Sequence, residues 1–334
     1  MEPLRLGLLG AARISDIAVV QPAGLTGARL VAVAARDPER AAAFADRHGI
    51  ERVHASYQGV IDDPEVEVVY NPLANGLHGP WNLRAIAAGK HVLSEKPFAS
   101  NAVEAGTVRD AAAAAGVHCV EAFHYRYHPL MQRMLELASD GEIGELVRVE
   151  ARMLMPPPPA GDLRWDADVA GGGLMDVGCY AVHAIRDMSV FAGGEPSIVR
   201  AWGGEIPAHP GIDAWLGADL EYPSGLSATM ECGMTHGVLD FSLRLVGTNG
   251  EAYAPAFLLP HMDDRVFVTV GTEQRVEELG SRSSYTYMLE ALARTIREGA
   301  PFLTDADDAV ITMQMIDDLY LAAGMRPRRS VTLD

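Results

Sequence analysis

Hydrophobic residues in the first third of the chain come in short continuous runs that alternate with helical patterns. Such runs are typical of strands buried on both faces of a parallel sheet. The predicted strands are residues 4–9, 29–35, 67–70, 91–93 and 117–122. The predicted helices between them are residues 38–48, 77–88 and 102–115. This alternation with short connections predicts an α/β domain built on a doubly wound parallel sheet.

The second half follows a different pattern, because apolar and polar residues alternate within its predicted strands. After a helix at residues 130–137, these strands are residues 146–154, 197–203, 212–222, 225–233, 241–247 and 265–270. Alternation of this kind is typical of an antiparallel sheet with one covered face. Two further helices are predicted late in the chain, at residues 284–298 and 306–322.

We therefore predict two domains. The first comprises residues 1–122, and the second, of α+β type with a mostly antiparallel open sheet, comprises residues 123–334. A late helix is expected to pack back on the first domain. The outward positions of the second sheet are mixed in character: Glu150, Arg152, Trp215, Thr229, Glu231 and Arg244. Because helices on one face leave the other to be covered, we expect a homodimer or higher homo-oligomer through this sheet.

The charge balance narrows the class of partners. Lys and Arg number 27 and Asp and Glu 45, so the 334-residue chain carries a net charge of −18. A chain this acidic is repelled by nucleic acid and by anionic membranes. Its three cysteines are Cys119, Cys179 and Cys232. Because they are odd in number and lack the spacing of a metal site, they are expected to be reduced thiols. Without a signal-like or membrane-spanning run, we expect a cytoplasmic protein that acts on a small molecule.

A glycine turn follows the first predicted strand. Its sequence is Gly10-Ala11-Ala12-Arg13-Ile14-Ser15, in which only Gly10 matches the glycines of the G-x-G-x-x-G dinucleotide fingerprint. Glycine permits the tight turn, and the following helix offers free N–H groups to a pyrophosphate. A bound phosphate would also offset the repulsion between Arg13 and the helix dipole, although Arg13 could equally be a surface residue without a role.

The end of the second strand indicates which dinucleotide would bind. In NAD-binding proteins, an acidic residue about 20 positions after the glycine turn holds the ribose 2′-hydroxyl. The sequence here is Arg36-Asp37-Pro38, and Asp37 before a proline is typical of a helix N-cap. Arg36 is then available to a 2′-phosphate, so we predict NADP as the cofactor, with NAD possible.

Lys96 stands where a buried strand is forced to end. Val92 and Leu93 continue an apolar run, and Pro97 has no N–H for the ladder. Ligands bind at the carboxyl ends of strands in such sheets, so Lys96 is either a cation directed at a pocket or a solvated loop lysine.

A second group of chemical side chains lies on a predicted helix of the C-terminal half. At 3.6 residues per turn, Asp176, Tyr180, His183 and Asp187 share one stripe, with apolar residues opposite. Solvated stripes are usually rich in Lys and Glu, so this composition favours a pocket, and glycines at residues 171–173 permit close approach to the helix start. His124 and His128 are spaced like a metal pair, but no third ligand follows.

Taken together, these segments resemble the glucose–fructose oxidoreductase, inositol dehydrogenase and MocA (Gfo/Idh/MocA) family of nicotinamide oxidoreductases. The motifs are Gly10-Ala11-Ala12-Arg13-Ile14, Glu95-Lys96-Pro97 and the G-G-x-x-x-D-x-G-x-H/Y segment at residues 171–180. Residues 121–129 and 176–183 are most similar to the trans-dihydrodiol dehydrogenase and NADP-dependent D-xylose dehydrogenase branch, which has tyrosine at the position of Tyr180. Departures from that branch are Asn71, Ala74 and His124.

The resemblance implies a Rossmann N-terminal domain and hydride transfer between nicotinamide and a carbinol carbon of a sugar, polyol or cyclic diol. It implies Tyr180 as general acid/base assisted by Lys96, with Asp176 as a third catalytic residue. The expected cofactor contacts are Gly10, Ala11, Ala12, Arg13, Ile14, Arg36, Leu73, Asn75, His78, Glu95 and Lys96. The expected substrate contacts are Lys96, Phe123, Tyr125, Arg126, Arg164, Asp176, Tyr180 and His183. No metal is expected.

Two other functions remain open on the same scaffold. A sensor would bind dinucleotide or sugar without turnover, but family regulators have lost the signature lysine, so Lys96 and Tyr180 argue against it. A glycosidase-like enzyme would keep NAD tightly bound as a transient hydride store and would need no added cofactor.

Overall fold

The computed structural model describes residues 2–333 and divides into two compact units. The first comprises the chain up to His124 together with residues 285–313 and the C-terminal residues from Arg329 onward. The second comprises residues 125–284 and 314–328. Each unit is built on its own sheet.

A six-stranded parallel sheet forms the centre of the first unit, in the order β3-β2-β1-β4-β5-β6. Its strands are β1 (Arg5–Leu9), β2 (Arg29–Ala34), β3 (Arg52–Val53), β4 (Val68–Asn71), β5 (His91–Ser94) and β6 (Cys119–Glu121). The strand order reverses between β1 and β4, and ligands of doubly wound sheets bind beside such a reversal. The carboxyl ends of β1, β2, β4 and β5 carry the predicted cofactor residues.

The doubly wound sheet predicted from the apolar runs is confirmed. All central strands are buried on both faces, as residues 31–34 and 68–71 illustrate. The helices that accompany the sheet are Arg13–Ser15, Gln21–Thr26, Pro38–His48, Tyr57–Ile61, His78–Ala87 and Ala102–Ala115. The sequence pattern missed β3 and the helix Tyr57–Ile61, because two residues at a sheet edge and five in a helix are too short to establish a period.

An eight-stranded sheet forms the second unit, in the order β14-β13-β12-β11-β7-β10-β9-β8. Its strands are β7 (Leu146–Leu154), β8 (Ser197–Glu205), β9 (Asp213–Glu221), β10 (Ser227–Gly233), β11 (Leu243–Gly247), β12 (Gly250–Ala254), β13 (Arg265–Val270) and β14 (Glu273–Glu278). Only β7 and β10 pair in parallel, so the expectation of a mostly antiparallel sheet is confirmed.

The two faces of this sheet differ in burial. On β10, Ala228, Met230 and Cys232 are buried, whereas Glu231 is exposed. The buried face packs on a helical segment at residues 174–186, which we call the site helix and which contacts β7 and β10. The other face therefore carries the outward residues predicted from the alternation.

The remaining helices include Pro129–Ser139, Ser284–Glu298 and Ala306–Ala322, whose bounds agree with the predicted segments to within two residues. Shorter 3₁₀ turns occupy Asn75–Leu77, His124–Tyr127, Leu163–Trp165, Ala167–Val169 and Asp187–Val190. Within residues 2–333, no helix combines the length and apolar character that a membrane crossing requires.

Candidate active site

The turn after β1 has a backbone conformation that favours glycine. At Gly10, φ is +114°. Ala12 precedes the helix in an extended conformation and provides no side-chain cap, Ile14 is half-buried and Arg13 is exposed. The Ser15 hydroxyl is fully buried and has no hydrogen-bond partner within the described residues. Gly10 therefore provides the tight turn on which the predicted pyrophosphate contact depends.

Arg36 and Asp37 follow β2 as the sequence predicted. The Asp37 carboxylate accepts from the Glu39 N–H at 3.0 Å and the Arg40 N–H at 3.3 Å, so it caps the helix Pro38–His48. Arg36 is exposed. A second cation was not predicted: Arg40 donates to the Ala11 carbonyl at 2.7 Å, which joins it to the glycine turn. Its position one helical turn after Arg36 was the available signal.

A chain of buried amides joins the carboxyl ends of β4 and β5. Asn71 donates to the Asn82 side chain at 2.8 Å, and Asn82 donates to the Ser94 hydroxyl at 2.9 Å. Ser94 in turn donates to the Glu95 carbonyl at 3.1 Å. These groups are buried and bonded to one another, which fixes the backbone before Lys96. Asn71, a departure from the related branch, therefore has a structural role in this chain.

His78 connects the loop after β4 with the segment after β5. Its Nδ1 lies 2.6 Å from the Pro97 carbonyl and its Nε2 lies 2.9 Å from the Leu73 carbonyl. Burial lowers the pKa of His78 to about 4, and Lys96 contributes to the decrease. The two carbonyls act against this decrease, and the ring links the loop after β4 to the segment after β5. Asn75 lies in the 3₁₀ turn between Leu73 and His78.

Glu95 faces the interior of the first unit. Its carboxylate accepts from the Tyr70 hydroxyl at 2.8 Å, and its second oxygen lies 3.4 Å from the Lys96 backbone N–H. Burial, reinforced by Glu95, raises the pKa of Tyr70 well above its usual value. Lys96 itself is half-buried and the Lys96–Pro97 peptide is cis.

The site helix differs from the regular helix that the spacing predicted. It begins with a π-helical segment, Leu174–Gly178, and continues as the α-helix Cys179–Arg186. All of its residues are buried, so its polar and apolar stripes do not separate solvent from core. π-Helical turns widen the helix locally and occur frequently at functional sites.

Asp176 is held by an ion pair in the second unit. Arg164 Nε donates to the Asp176 carboxylate at 2.5 Å, and Arg164 Nη1 also contacts Asp162 at 3.1 Å. The nearby carboxylates raise the pKa of Arg164 against the opposing effect of burial. Arg164 is therefore placed beside a predicted catalytic residue and engaged by two carboxylates.

Tyr180 lies in a cluster of predicted substrate residues. Its ring meets the ring of Tyr125 edge to face, with centroids 6.0 Å apart. The Tyr125 hydroxyl lies 2.6 Å from His183 Nδ1, and Arg126 Nε donates to Asp187 at 2.7 Å. Asp187 is also 3.7 Å from His183 Nδ1. Of the predicted stripe, His183 and Asp187 thus share one polar network, Tyr180 packs beside it, and Asp176 forms its own ion pair with Arg164.

The other residues of the segment 121–129 have structural partners. Phe123 is fully buried, and the His124 ring stacks on Tyr285 with centroids 3.7 Å apart. His128 Nδ1 accepts from the Leu130 N–H at 3.0 Å and caps the helix Pro129–Ser139. Among residues 2–333, no group of three or more His, Cys, Asp or Glu side chains is arranged to hold a metal ion.

Comparison with known proteins identifies both halves of the chain. Residues 4–123 match the oxidoreductase family with an NAD-binding Rossmann fold, and residues 131–253 match the Gfo/Idh/MocA C-terminal domain. D-xylose 1-dehydrogenase (NADP⁺) 2 of Haloferax volcanii is 36% identical over 96% of this chain and 97% of its own. Mouse trans-1,2-dihydrobenzene-1,2-diol dehydrogenase is 32% identical over 79% of this chain and 80% of its own.

A solved structure of an NADP-bound reductase has a similar fold over nearly the whole chain. The crystal structure of a 3-ketoreductase from Actinomadura kijaniata, in complex with NADP and TDP-benzene, superposes with a TM-score of 0.88. It covers 97% of this chain and 98% of its own at 27% identity. The family and branch expected from the motifs are thus confirmed: the chain belongs to the Gfo/Idh/MocA family of oxidoreductases.

Proposed function

We propose that this protein is an NADP-dependent dehydrogenase or reductase acting on a CH–OH group of a sugar, polyol or cyclic diol. The observation that carries the proposal is the similarity to a D-xylose dehydrogenase over 96% of the chain. Lys96 after β5 and Tyr180 in the site helix accompany that similarity. Residues 1–122 would bind the cofactor and the later residues the substrate.

Tyr180 is the proposed acid/base. NADP, when bound, would supply the hydride acceptor. The Tyr180 phenolate would take the proton of the substrate hydroxyl whose carbon gives up the hydride. A free tyrosine has a pKa of about 10, so the phenolate needs a nearby cation, which Lys96 would provide. Asp176, because it is paired with Arg164, would orient the substrate hydroxyl rather than exchange protons.

NADP fits the end of β2 better than NAD does. Arg36 is exposed there, Arg40 reaches the glycine turn, and the Asp37 carboxylate is occupied by helix capping. A 2′-phosphate would meet two guanidinium groups, whereas the ribose 2′-hydroxyl of NAD would find no free Asp37 carboxylate. The tight turn at Gly10 would serve the pyrophosphate of either cofactor.

Replacing Arg36 with alanine is expected to weaken NADP⁺ binding by about 1.5–3 kcal/mol, because a charge-assisted hydrogen bond is lost. NAD⁺ binding should change little. Dissociation constants for both cofactors, measured by titration calorimetry, test this. Arg47→Ala is the control, since Arg47 is exposed in the last turn of the helix Pro38–His48, which follows Arg36. Equal weakening of NADP⁺ and NAD⁺ binding would contradict the assignment of Arg36 to the 2′-phosphate.

A panel of aldoses, inositols and dihydrodiols with NADP⁺ or NAD⁺, followed by nicotinamide absorbance, tests the proposed reaction. We expect reduction of added NADP⁺ with at least one compound. A sensor would bind compounds from the panel without absorbance change. A glycosidase-like enzyme would copurify with NAD and turn over without added cofactor. Either result would replace the proposed function.

We also propose that the outward face of the second sheet forms a homodimer. Trp202 lies against Gly217, and Trp215 lies against Gly204. Both indole rings are partly exposed on this face. Side chains of both charges lie on the same face, including the ion pair between Arg152 and Glu231. A face that carries both charges can complement a second copy of itself across a two-fold axis.

Light scattering at micromolar concentration is expected to give the mass of a dimer or a larger even assembly. Trp215→Glu should shift the protein toward monomer, because it places a charge in the centre of the proposed interface. Val190→Glu, an exposed apolar residue outside this sheet, is the control and should not change the mass. A monomeric unmodified protein would contradict the proposal.

A further inference from the structure

We propose that Asp213, Tyr320 and Arg328 form an anchor for the start of the site helix and act as positioning residues for Tyr180. This inference rests on the proposed function of that helix. The anchor brings together the first residue of β9, the last turns of the helix Ala306–Ala322, and the C-terminal segment. All three residues belong to the second unit.

Asp213 supplies the acceptors. Its side chain is fully buried, and its carboxylate accepts from the Leu174 backbone N–H at 2.6 Å and the Tyr320 hydroxyl at 2.8 Å. Arg328 forms an ion pair with the same carboxylate. Leu174 is the first residue of the π-helical segment and lies two residues before Asp176. The carboxylate therefore fixes the peptide from which the catalytic segment begins.

The chain is shaped to admit this carboxylate. Gly172 has a φ of +140°, and a Cβ atom there would lie 2.5 Å from the Arg328 guanidinium and 3.0 Å from the Tyr320 hydroxyl. No other residue type fits that space without displacing the anchor. The same glycine contributes its carbonyl to the Asp176 N–H at 2.9 Å. Gly172 thus connects the anchor directly with the backbone of a predicted catalytic residue.

The electrostatics show why all three partners are needed. Burial raises the pKa of Asp213, whereas Arg328, the Leu174 amide and the Tyr320 hydroxyl oppose the increase. Arg328 is itself held by the Gly211 carbonyl at 3.0 Å, and its guanidinium lies 4.7 Å from the centre of the Tyr320 ring. Removing Arg328 would leave a buried carboxylate without a counter-charge, and such a group moves toward water or takes up a proton.

A π-helical start has particular need of an external partner. The segment Leu174–Gly178 departs from the regular i→i−4 pattern, and its first N–H groups have no partner within the helix. Asp213 takes the first of them. A shift of the helix start would move Asp176 and Tyr180 together, and misplacement by about 1 Å can reduce a rate about 100-fold.

The experiment compares Arg328→Leu, Tyr320→Phe and Arg328→Lys with a matched control, Arg326→Leu, whose residue is exposed two positions earlier. Arg328→Leu should lower kcat by about 10- to 100-fold while the dissociation constant of NADP⁺ stays unchanged. Hydrogen exchange should accelerate at residues 172–180 more than elsewhere. Arg328→Lys should recover part of the rate, and Tyr320→Phe should show a smaller loss of the same kind.

Unchanged exchange at residues 172–180 in Arg328→Leu would overturn the anchor. Faster exchange with normal turnover would overturn its positioning role. If Arg328→Leu fails to fold, Tyr320→Phe decides, because it removes one hydroxyl and keeps the ring. Tyr180→Phe is measured in parallel, since a normal rate there would count against the proposed acid/base while leaving the exchange result as evidence on the anchor.

Discussion

Replacing Tyr180 with phenylalanine is expected to lower turnover by about 10²–10⁴-fold, the usual contribution of a general acid/base. Phenylalanine retains the ring that meets Tyr125 edge to face and removes only the hydroxyl. Tyr180 is 5% exposed, so the variant should keep its packing. The dissociation constant of NADP⁺ should remain nearly unchanged, because the substitution lies in the second unit and the glycine turn in the first.

Steady-state rates for Tyr180→Phe should be compared with Tyr222→Phe as the control. Tyr222 is also buried, and its hydroxyl donates to the Ile185 carbonyl of the site helix at 2.6 Å. Tyr222→Phe therefore removes a buried hydroxyl from the same helix at a different point and should leave kcat close to normal. His183→Asn should reduce the rate less than Tyr180→Phe. The reverse order would make His183 the next candidate for the acid/base.

Replacing Lys96 with methionine should reduce turnover at least as much as Tyr180→Phe. Methionine approximates the length of the side chain and removes the charge that would favour the Tyr180 phenolate. Without that charge, nothing would favour the phenolate over the phenol at neutral pH. The measurement is the pH dependence of kcat/KM for oxidation, in which the acidic limb, where the base is protonated, should move to higher pH.

The scarcity of lysine in this chain suggests Lys96→Arg as a control for the Lys96→Met prediction. Lys90 and Lys96 are the only lysines in the sequence, and every other basic position except histidine is arginine. Lys90 donates to the Asp63 and Val66 carbonyls, at 2.9 Å and 2.7 Å. A compact ammonium at position 96 is therefore an exception in an arginine-rich chain, and a planar guanidinium is not its equivalent. Lys96→Arg should keep the charge and still fail to restore turnover, whereas full activity would show that charge alone is sufficient.

The sequence was most informative where one physical requirement dominated. Continuous apolar runs predicted the buried strands of the first sheet, since such a strand must be apolar on both faces. Alternation predicted six of the eight strands of the second sheet and missed β12 and β14. The sequence of β14, Glu-Gln-Arg-Val-Glu-Glu, lies at an exposed sheet edge. Asp37 was identified as a cap because capping depends only on neighbouring residues.

Long-range polar contacts were beyond sequence reasoning. Arg164 and Asp176 are separated by 12 residues, and Asp213 and Arg328 by 115, with no local signal that links either pair. The π-helical start of the site helix also escaped prediction, because the 3.6-residue period was assumed throughout. Of the polar stripe, His183 and Asp187 lie in one network with Tyr125, whereas Asp176 pairs with Arg164.

The most direct test of the account is single-turnover hydride transfer in four proteins: unmodified, Tyr180→Phe, Lys96→Met and the double variant. Saturating NADP⁺ and the best substrate from the panel are used throughout. If the two residues act on one proton, the double variant should be about as slow as the slower single variant, because groups acting together cannot be lost twice. Multiplying losses, or a Tyr180→Phe rate within about threefold of the unmodified rate and so far short of the 10²-fold minimum, would contradict the account.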